Sequence, residues 1–415
     1  MTDNQLAINP ERLWRSLMDL AEIGATEKGG VCRLALSDVD RAGRDLFVGW
    51  AEAAGCAVTV DRMGNMFARR SGRDDSLAPV MAGSHLDSQP TGGKYDGAYG
   101  VLAALEAVRA LNDAGVETLR PIEIVSWTNE EGSRFAPAMM GSGVFAGQLD
   151  LDKTLAETEQ DGIATVAGEL ERIGYAGAAA VGGRPIHAYF EAHIEQGPIL
   201  EAEDTVIGVV TAIQGIRWFD CRIEGMEAHA GPTPMAVRKD ALLGAARLVD
   251  RINRIALDHA PDGRATVGTF KIQPGSRNVI PSGVDLTIDM RHPEAAALAA
   301  MAAALQDAFD EINGAAGLSG RLDEIWYSPP TPFETACVDA VRRAADELGE
   351  SYREITSGAG HDAKYMADIC PAAMVFIPCK DGISHNEIES AEPEHVTAGC
   401  NVLLRAMVER AMDPG

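Results

Sequence analysis

The chain has 415 residues, and its 36 lysines and arginines against 62 aspartates and glutamates leave a formal net charge of −26. A field of this sign repels phosphate backbones and anionic lipid surfaces, which argues against nucleic acid and membranes as partners. With 46% hydrophobic residues and no apolar run near the ~18 residues of a membrane span, the sequence predicts a globular protein of two or three domains.

Neither the start of the chain nor its cysteines indicate secretion. The first residues, MTDNQLAINPERLW, lack the basic and apolar segments of a secretory signal. The seven cysteines are scattered and form no Cys-x-x-Cys pair, which is typical of free thiols in a reducing compartment. We therefore expect a cytoplasmic protein.

The N-terminal half alternates helices with short apolar strands. Asn9 and Pro10 are suited to begin a helix, and the leucines that follow at helical spacing form one stripe. The next predicted elements are helix 37–55, strands 57–60, 65–69 and 79–83, helix 97–114, and strands 122–127 and 187–193. This order predicts an α/β fold in which helices cover a mostly parallel sheet.

The pattern changes between residues 215 and 327. The elements predicted there are strand 216–224, helix 236–256, strands 265–272 and 284–291, helix 294–313 and strand 321–327. This βαββαβ order is that of a ferredoxin-like unit. After the breaker cluster SPPTP at 328–332, the α/β pattern resumes with helix 334–348, strand 352–356, a short helix from 361, strand 373–378 and helix 393–412. We predict a discontinuous domain of residues 1–214 and 328–415 with an inserted domain at 215–327.

The richest polar stretch, AGSHLDSQPTGGKYDGAYG at 82–100, follows a predicted strand. His85 lies where ligands collect in open α/β sheets, at the carboxyl end of a strand. Asp87 is placed to hold the other imidazole nitrogen and to fix the tautomer of a metal-binding histidine. Asp96 lies between glycines, in a loop able to turn its carboxylate inward. An ordinary polar loop histidine is the alternative for His85 taken alone.

Other strand ends add further ligand types. Glu130 and Glu131 follow strand 122–127, and adjacent residues there point in different directions, so one can bind a metal while the other faces its water. A solvated acidic turn is the alternative for this pair. The third strand ends with His193, and a late loop, SHNEIE, supplies His385. Four separate segments offering nitrogen and oxygen ligands favour a metal site over coincidence.

The ligand types indicate a dinuclear centre. They include no thiolate, which suits Zn²⁺, Mn²⁺ or Co²⁺. This set of candidate ligands fits two ions better than one, with Asp96 as the bridging ligand and Glu130 left as the general base. The remaining ligands are assigned as His85 and His193 on one ion, and Glu131 and His385 on the other.

Together these stretches resemble a known family. They are GSHLDS, GGKYDG, TNEEGSRF, EAHIEQGP, MEAHAGPTPM, SRNVIP, DMRHP, SGAGHDA and SHNEIE. They are similar to the zinc aminoacylase/carboxypeptidase-like metallohydrolases, and within these to the hydantoinase/carbamoylase branch. The resemblance extends over nearly the whole chain. It implies two divalent metal ions per subunit, the ligands above, Asp87 as the orienting residue and Glu130 as the general base.

The same resemblance implies roles in the inserted domain, whose counterpart is a lid and dimer interface. His229 resembles the histidine that enters a neighbouring subunit's site and polarises the scissile carbonyl. Arg291 resembles the arginine that clamps the substrate carboxylate, and Asn278 and Gln196 resemble amide side chains that contact substrate. A loop histidine, a surface ion pair and a turn asparagine are the alternatives for His229, Arg291 and Asn278.

The resemblance implies a homodimeric metal-dependent amidohydrolase that acts on a small anionic ureido substrate. The expected substrate is an N-carbamoyl-L-amino acid, whose hydrolysis releases ammonia and CO₂. Allantoate amidohydrolase and β-ureidopropionase are alternatives within the branch, and a dipeptidase or aminoacylase with the same metals lies outside it. A binding protein that keeps the fold without the chemistry is a further alternative, against which an intact Glu130 and ligand set argue.

Overall fold

The computed structural model describes residues 6–160 and 162–414. The chain divides into two compact units, Met1–Thr211 with Pro332–Gly415 (unit 1) and Ala212–Thr331 (unit 2). Unit 2 thus begins three residues before the predicted insertion (212 against 215) and ends four residues after it (331 against 327). Among the residues described, no helix combines the length and apolar character needed to span a bilayer.

Unit 1 begins with alternating helices and strands. In chain order they are α1 (Pro10–Ala21), α2 (Asp38–Ala53), β1 (Ala57–Val60), β2 (Met66–Arg70), β3 (Val80–His85), α3 (Ala98–Asp113), β4 (Ile122–Trp127), α4 (Met140–Phe145), α5 (Leu151–Ala156), α6 (Val166–Ile173), β5 (Ala188–Ile194), α7 (Ile199–Ala202) and β6 (Ile207–Ile213). Asn9 caps α1 by accepting from the Arg12 N–H, as its type predicts.

Unit 2 has the elements β7 (Gly215–Glu224), α8 (Ala241–Asp258), β8 (Arg264–Gln273), β9 (Gly283–His292), α9 (Ala295–Ala316) and β10 (Ser319–Ser328). Its antiparallel sheet has the order β10-β7-β9-β8. Apolar side chains of both helices pack on one face of this sheet in a buried cluster that includes Leu248, Ile288 and Leu305. The other face carries charged and aromatic side chains.

The chain then completes unit 1. The remaining elements are β11 (Thr331–Pro332), α10 (Thr335–Leu348), β12 (Tyr352–Ser357), α11 (Ala363–Met366), β13 (Ala372–Ile377) and α12 (Pro393–Met412). The large sheet has the order β1-β2-β4-β3-β5-β13-β6-β11, with β12 also paired to β6. Its four central strands, β4, β3, β5 and β13, are mutually parallel, whereas β2 and β6 join them antiparallel.

The central strands are buried along their whole length. Strands covered on both faces read as continuous apolar runs, which is why the sequence predicted them well. Their carboxyl ends lie side by side, because His85 pairs with Trp127 and His193 pairs with Phe376. The polar segments that follow these strands therefore meet at one edge of the sheet.

Some elements differ from the prediction. Helix α8 begins at Ala241 instead of residue 236. The backbone of Arg238 is extended, and the Asp240 side chain caps the helix by accepting a hydrogen bond from the Leu243 N–H. Strand β6 and helices α4 to α7 were not predicted. The glycine-rich segment of α4, which could be mistaken for a nucleotide-binding loop, packs Gly141 against the Asn65 side chain.

Candidate metal centre

Side chains from four segments meet around the carboxylate of Asp96. Its Oδ1 is 3.4 Å from His85 Nε2 and 3.1 Å from His193 Nε2. Its Oδ2 is 3.4 Å from His385 Nε2, which is also 3.3 Å from Glu131 Oε2. These contacts form two groups of side chains, each of which could hold a metal ion. One group is His85, Asp96 and His193, the other is Asp96, Glu131 and His385, and Asp96 thus belongs to both. These five residues are the ones that the sequence analysis assigned as ligands.

Both buried histidines present Nε2 to Asp96 because Nδ1 is engaged elsewhere. His85 Nδ1 lies 2.9 Å from the Asp87 carbonyl oxygen, and His193 Nδ1 lies 2.9 Å from the Ile194 carbonyl oxygen. A carbonyl only accepts, so each Nδ1 carries a proton, and Nε2 is the nitrogen that each ring would offer to a metal ion in its neutral form. The Gly97 N–H donates to His193 Nε2, which agrees with this tautomer.

Asp87 acts differently from the prediction. Its carboxylate is 3.9 Å from His85 Nδ1, so the contact that orients His85 comes from the Asp87 backbone carbonyl. The two carboxylate oxygens instead accept from the N–H groups of Glu130 and Glu131, each at 3.2 Å. Asp87 therefore holds the backbone of the glutamate pair as well as the ring of the histidine.

The side chains of the adjacent residues Glu130 and Glu131 point in different directions, as expected at the end of a strand. Glu131 reaches His385, whereas Glu130 Oε2 lies 3.5 Å from His85 Nε2 and outside both groups. The turn depends on Asn129, whose backbone is left-handed (φ 55°) and whose side chain donates to the Phe135 carbonyl. Asparagine tolerates this conformation better than most residues do.

Burial and charge oppose each other at these carboxyl groups. Burial raises the pKa of Glu130 well above its usual value; His85 acts to lower this pKa, but the neighbouring carboxylates of Asp362 and Glu131 raise it further. Burial also acts to raise the pKa of Asp96, but His193 and the other two imidazoles hold it well below the usual range. Asp96 is therefore ionised, while Glu130 holds a proton readily.

Two residues that the sequence analysis did not assign support Asp96. Glu389 is buried, and its Oε1 accepts from the N–H groups of Tyr95 (2.9 Å) and Asp96 (3.2 Å). Ser384 Oγ lies 2.9 Å from both Glu389 Oε2 and Asp96 Oδ2. Both residues belong to the stretch SHNEIES around His385, so their proximity to a predicted ligand was the available signal.

Gln196, predicted to contact substrate, lies against the same carboxylate. Its Nε2 donates to Asp96 Oδ2 at 2.8 Å and lies 3.3 Å from Ser384 Oγ. Its Oε1 is buried and has no hydrogen-bond partner among the described residues. Gln196 and His385 both have left-handed backbones (φ 56° and 53°), a conformation common at functional sites.

The three remaining predicted residues belong to unit 2. His229 is exposed, and its Nδ1 accepts from the Gly231 N–H at 3.1 Å, so the neutral ring carries its proton on Nε2. Its loop pairs with that of Asn278, because the Ala230 N–H donates to the Asn278 carbonyl at 2.9 Å. Arg291, at the end of β9, forms an ion pair with Asp289.

The chain is similar to known proteins over nearly its whole length. An N-carbamoyl-L-amino-acid amidohydrolase of Rhizobium meliloti is 46% identical over 404 residues, 97% of each chain. A ureidoglycolate hydrolase of Oryza sativa subsp. japonica is 34% identical over 98% of this chain and 85% of its own. The crystal structure of an amidase of the hydantoinase/carbamoylase family from Burkholderia multivorans, 60% identical, superposes with a TM-score of 0.95 over 99% of this chain and 100% of that one. Residues 81–409 match the family described as Peptidase family M20/M25/M40, and the chain belongs to that family.

Proposed function

We propose that this protein is a metal-dependent amidohydrolase that hydrolyses the terminal ureido C–N bond of an N-carbamoyl-L-amino acid, releasing ammonia and CO₂. One observation carries the proposal: two ligand groups share Asp96, with Glu130 beside them. The full-length likeness to an N-carbamoyl-L-amino-acid amidohydrolase supports the substrate class.

The donor set suits two divalent ions. Imidazole nitrogens and carboxylate oxygens without thiolates favour Zn²⁺, Mn²⁺ or Co²⁺. In our proposal Asp96 is shared, and the other ligands are His85 and His193 for one ion and Glu131 and His385 for the other. When bound, such ions polarise the ureido carbonyl and make water nucleophilic at neutral pH.

Glu130 is the proposed general base and acid. Its carboxylate takes a proton from the attacking water and delivers it to the departing ammonia. Burial, which raises the pKa of Glu130, helps it to retain that proton between the two steps. The N-carboxy amino acid that remains then loses CO₂.

Substrate would be held at both ends. Gln196 Oε1, buried and without a partner among the described residues, is suited to accept from the ureido N–H groups. Asn278 is a further proposed contact, and Arg291 would bind the substrate carboxylate through its planar guanidinium. The Nε2–H of His229 would donate to the ureido oxygen as negative charge develops there.

We further propose that the protein is a homodimer in which unit 2 provides the interface and the lid, and that His229 acts in the site of the partner subunit. Strand β8 is an edge of its sheet and exposes Phe270 and Ile272 by 38% and 41%. A long exposed apolar edge is a template for pairing with a second copy.

The test is ammonia release from a panel of ureido compounds: N-carbamoyl-α-amino acids of both hands, N-carbamoyl-β-alanine, allantoate and ureidoglycolate. We expect turnover of the N-carbamoyl-L-amino acids above all others, and a rate about 10²–10⁴ lower for Glu130→Gln. Preference for ureidoglycolate would favour a role like that of the plant relative, and preference for allantoate would favour an allantoate amidohydrolase instead. Turnover of dipeptides or N-acyl amino acids alone would contradict the proposal.

A further inference from the structure

Arg291 is held along one edge by a carboxylate on its own strand. Its Nε donates to Asp289 Oδ1 and its Nη2 donates to Asp289 Oδ2, both at 2.9 Å. The two residues are separated by one position of β9, so their side chains leave the same face of the sheet. Such a two-pronged contact fixes the plane of a guanidinium as well as its position.

Asp289 is itself fixed from the neighbouring strand. Trp218 lies directly opposite on β7, and its Nε1–H donates to Asp289 Oδ2 at 2.8 Å. The indole ring packs against that of Trp326 on β10, with ring centroids 4.6 Å apart. Three strands therefore contribute to a chain of contacts that runs from Trp326 through Trp218 and Asp289 to Arg291.

We propose that Asp289 and Trp218 are positioning residues that aim Arg291 at the carboxylate of the substrate. The inference rests on the proposed function, because it assigns the carboxylate to Arg291. A guanidinium has five N–H donors in a rigid plane, and Asp289 uses two of them. Once that edge is fixed, the direction of the opposite edge is fixed as well.

A purely structural role for this ion pair is the competing explanation. Both side chains are nearly one-third exposed (29% and 28%), and pairs of such exposure contribute little to stability. The same sheet face offers a matched comparison: Arg222 Nη1 donates to Asp285 on β9, at 2.9 and 2.7 Å to its two oxygens. That pair has no part in the proposed substrate contacts.

The test compares Asp289→Asn with Asp285→Asn on an N-carbamoyl-L-amino acid and on its carboxamide, which lacks the charge. An asparagine cannot accept at both positions, so we expect Asp289→Asn to raise KM on the acid about tenfold, the loss of one charge-assisted hydrogen bond, with a small change in kcat. The carboxamide should show little change. Asp285→Asn should leave both substrates unaffected.

Two further variants separate positioning from general damage. Trp218→Phe keeps an aromatic ring beside Trp326 but removes the N–H, and should raise KM on the acid in the same direction by a smaller factor. In an Arg291→Ala background, Asp289→Asn should add nothing, because it acts through the arginine.

Equal losses on acid and carboxamide, an effect of Asp285→Asn equal to that of Asp289→Asn, or an unchanged or lower KM on the acid would overturn the inference alone. Absence of ureido hydrolysis by the wild-type protein would overturn the proposed function, and the inference with it.

Discussion

Glu130 and Glu131 are adjacent in sequence but have different surroundings. Glu131 lies in one of the ligand groups, whereas Glu130 contacts His85 from outside them. We expect Glu130→Gln to retain its metal and to lose about 10²–10⁴ in rate, because it removes positioned proton transfer. Glu131→Gln should instead lower metal content. Equal metal content in the two purified variants, measured by elemental analysis, would contradict the separation of roles.

Gly97 allows the backbone to lie close to the His85 ring. It has a positive φ (64°), and a Cβ there would lie 2.3 Å from the His85 ring. We expect Gly97→Ala to lower metal affinity sharply, because the ring must move. Gly115 has a similar φ (62°) with nothing within 4 Å, so Gly115→Ala carries comparable backbone strain, on the order of 1–2 kcal/mol, without the clash.

Thermal unfolding and metal titration of both glycine variants separate these effects. Each should lose some stability, but only Gly97→Ala should lose metal binding. Matching metal affinities would show that Gly97 is required for the turn alone.

At the scale of elements, the site depends on two loops that Glu389 ties together. Glu389 lies in the loop after β13, and its carboxylate accepts hydrogen bonds from the N–H groups of Tyr95 and Asp96 in the loop before α3. We expect Glu389→Ala to weaken metal binding by about 10–100-fold, as is typical of residues that orient metal ligands. Glu389→Gln keeps an oxygen that accepts from both N–H groups, so we expect a much smaller loss of metal affinity.

Asp61 provides the matched control for Glu389. It is also buried, and its carboxylate also accepts from two backbone N–H groups, those of Met63 and Asn65. Asp61→Ala should therefore destabilise the fold without changing the metal affinity of the folded protein. Isothermal titration with Zn²⁺ would show this, and equal losses in the two alanine variants would indicate a general effect of losing a buried carboxylate.

Strand ends were predictable, and the loops that complete the site were less so. His85, Glu131 and His193 follow apolar runs whose ends the sequence marks clearly, because buried parallel strands have a strong pattern. Glu389 was not assigned, because its partners are backbone N–H groups distant in sequence. The contact between Asp87 and His85 was predicted for the Asp87 carboxylate and is made by the Asp87 backbone carbonyl. No pattern of side chains in the sequence indicates that difference.

At the scale of the whole molecule, the proposed chemistry requires residues from both units. The proposed ligands and Glu130 lie in unit 1, whereas His229, Asn278 and Arg291 lie in unit 2. We expect two inactive variants, His229→Ala and Glu130→Gln, to restore activity when co-expressed as mixed dimers. If His229 serves the partner subunit, one site of each mixed dimer receives both defects and the other receives none, giving about half of wild-type activity.

Mixed dimers can be verified by two different affinity tags on the chains. Verified mixed dimers without activity would contradict action of His229 in the partner subunit. A strictly monomeric active protein would contradict the proposed interface altogether.

The central claim is that hydrolysis depends on divalent metal held around Asp96. Its most direct test is ammonia release from an N-carbamoyl-L-amino acid by chelator-stripped protein during titration with Zn²⁺, Mn²⁺ or Co²⁺, with bound metal measured in parallel. The account predicts no turnover by the stripped protein and activity that reaches its maximum as two ions per chain are bound. Full activity in protein shown to be free of metal would contradict it.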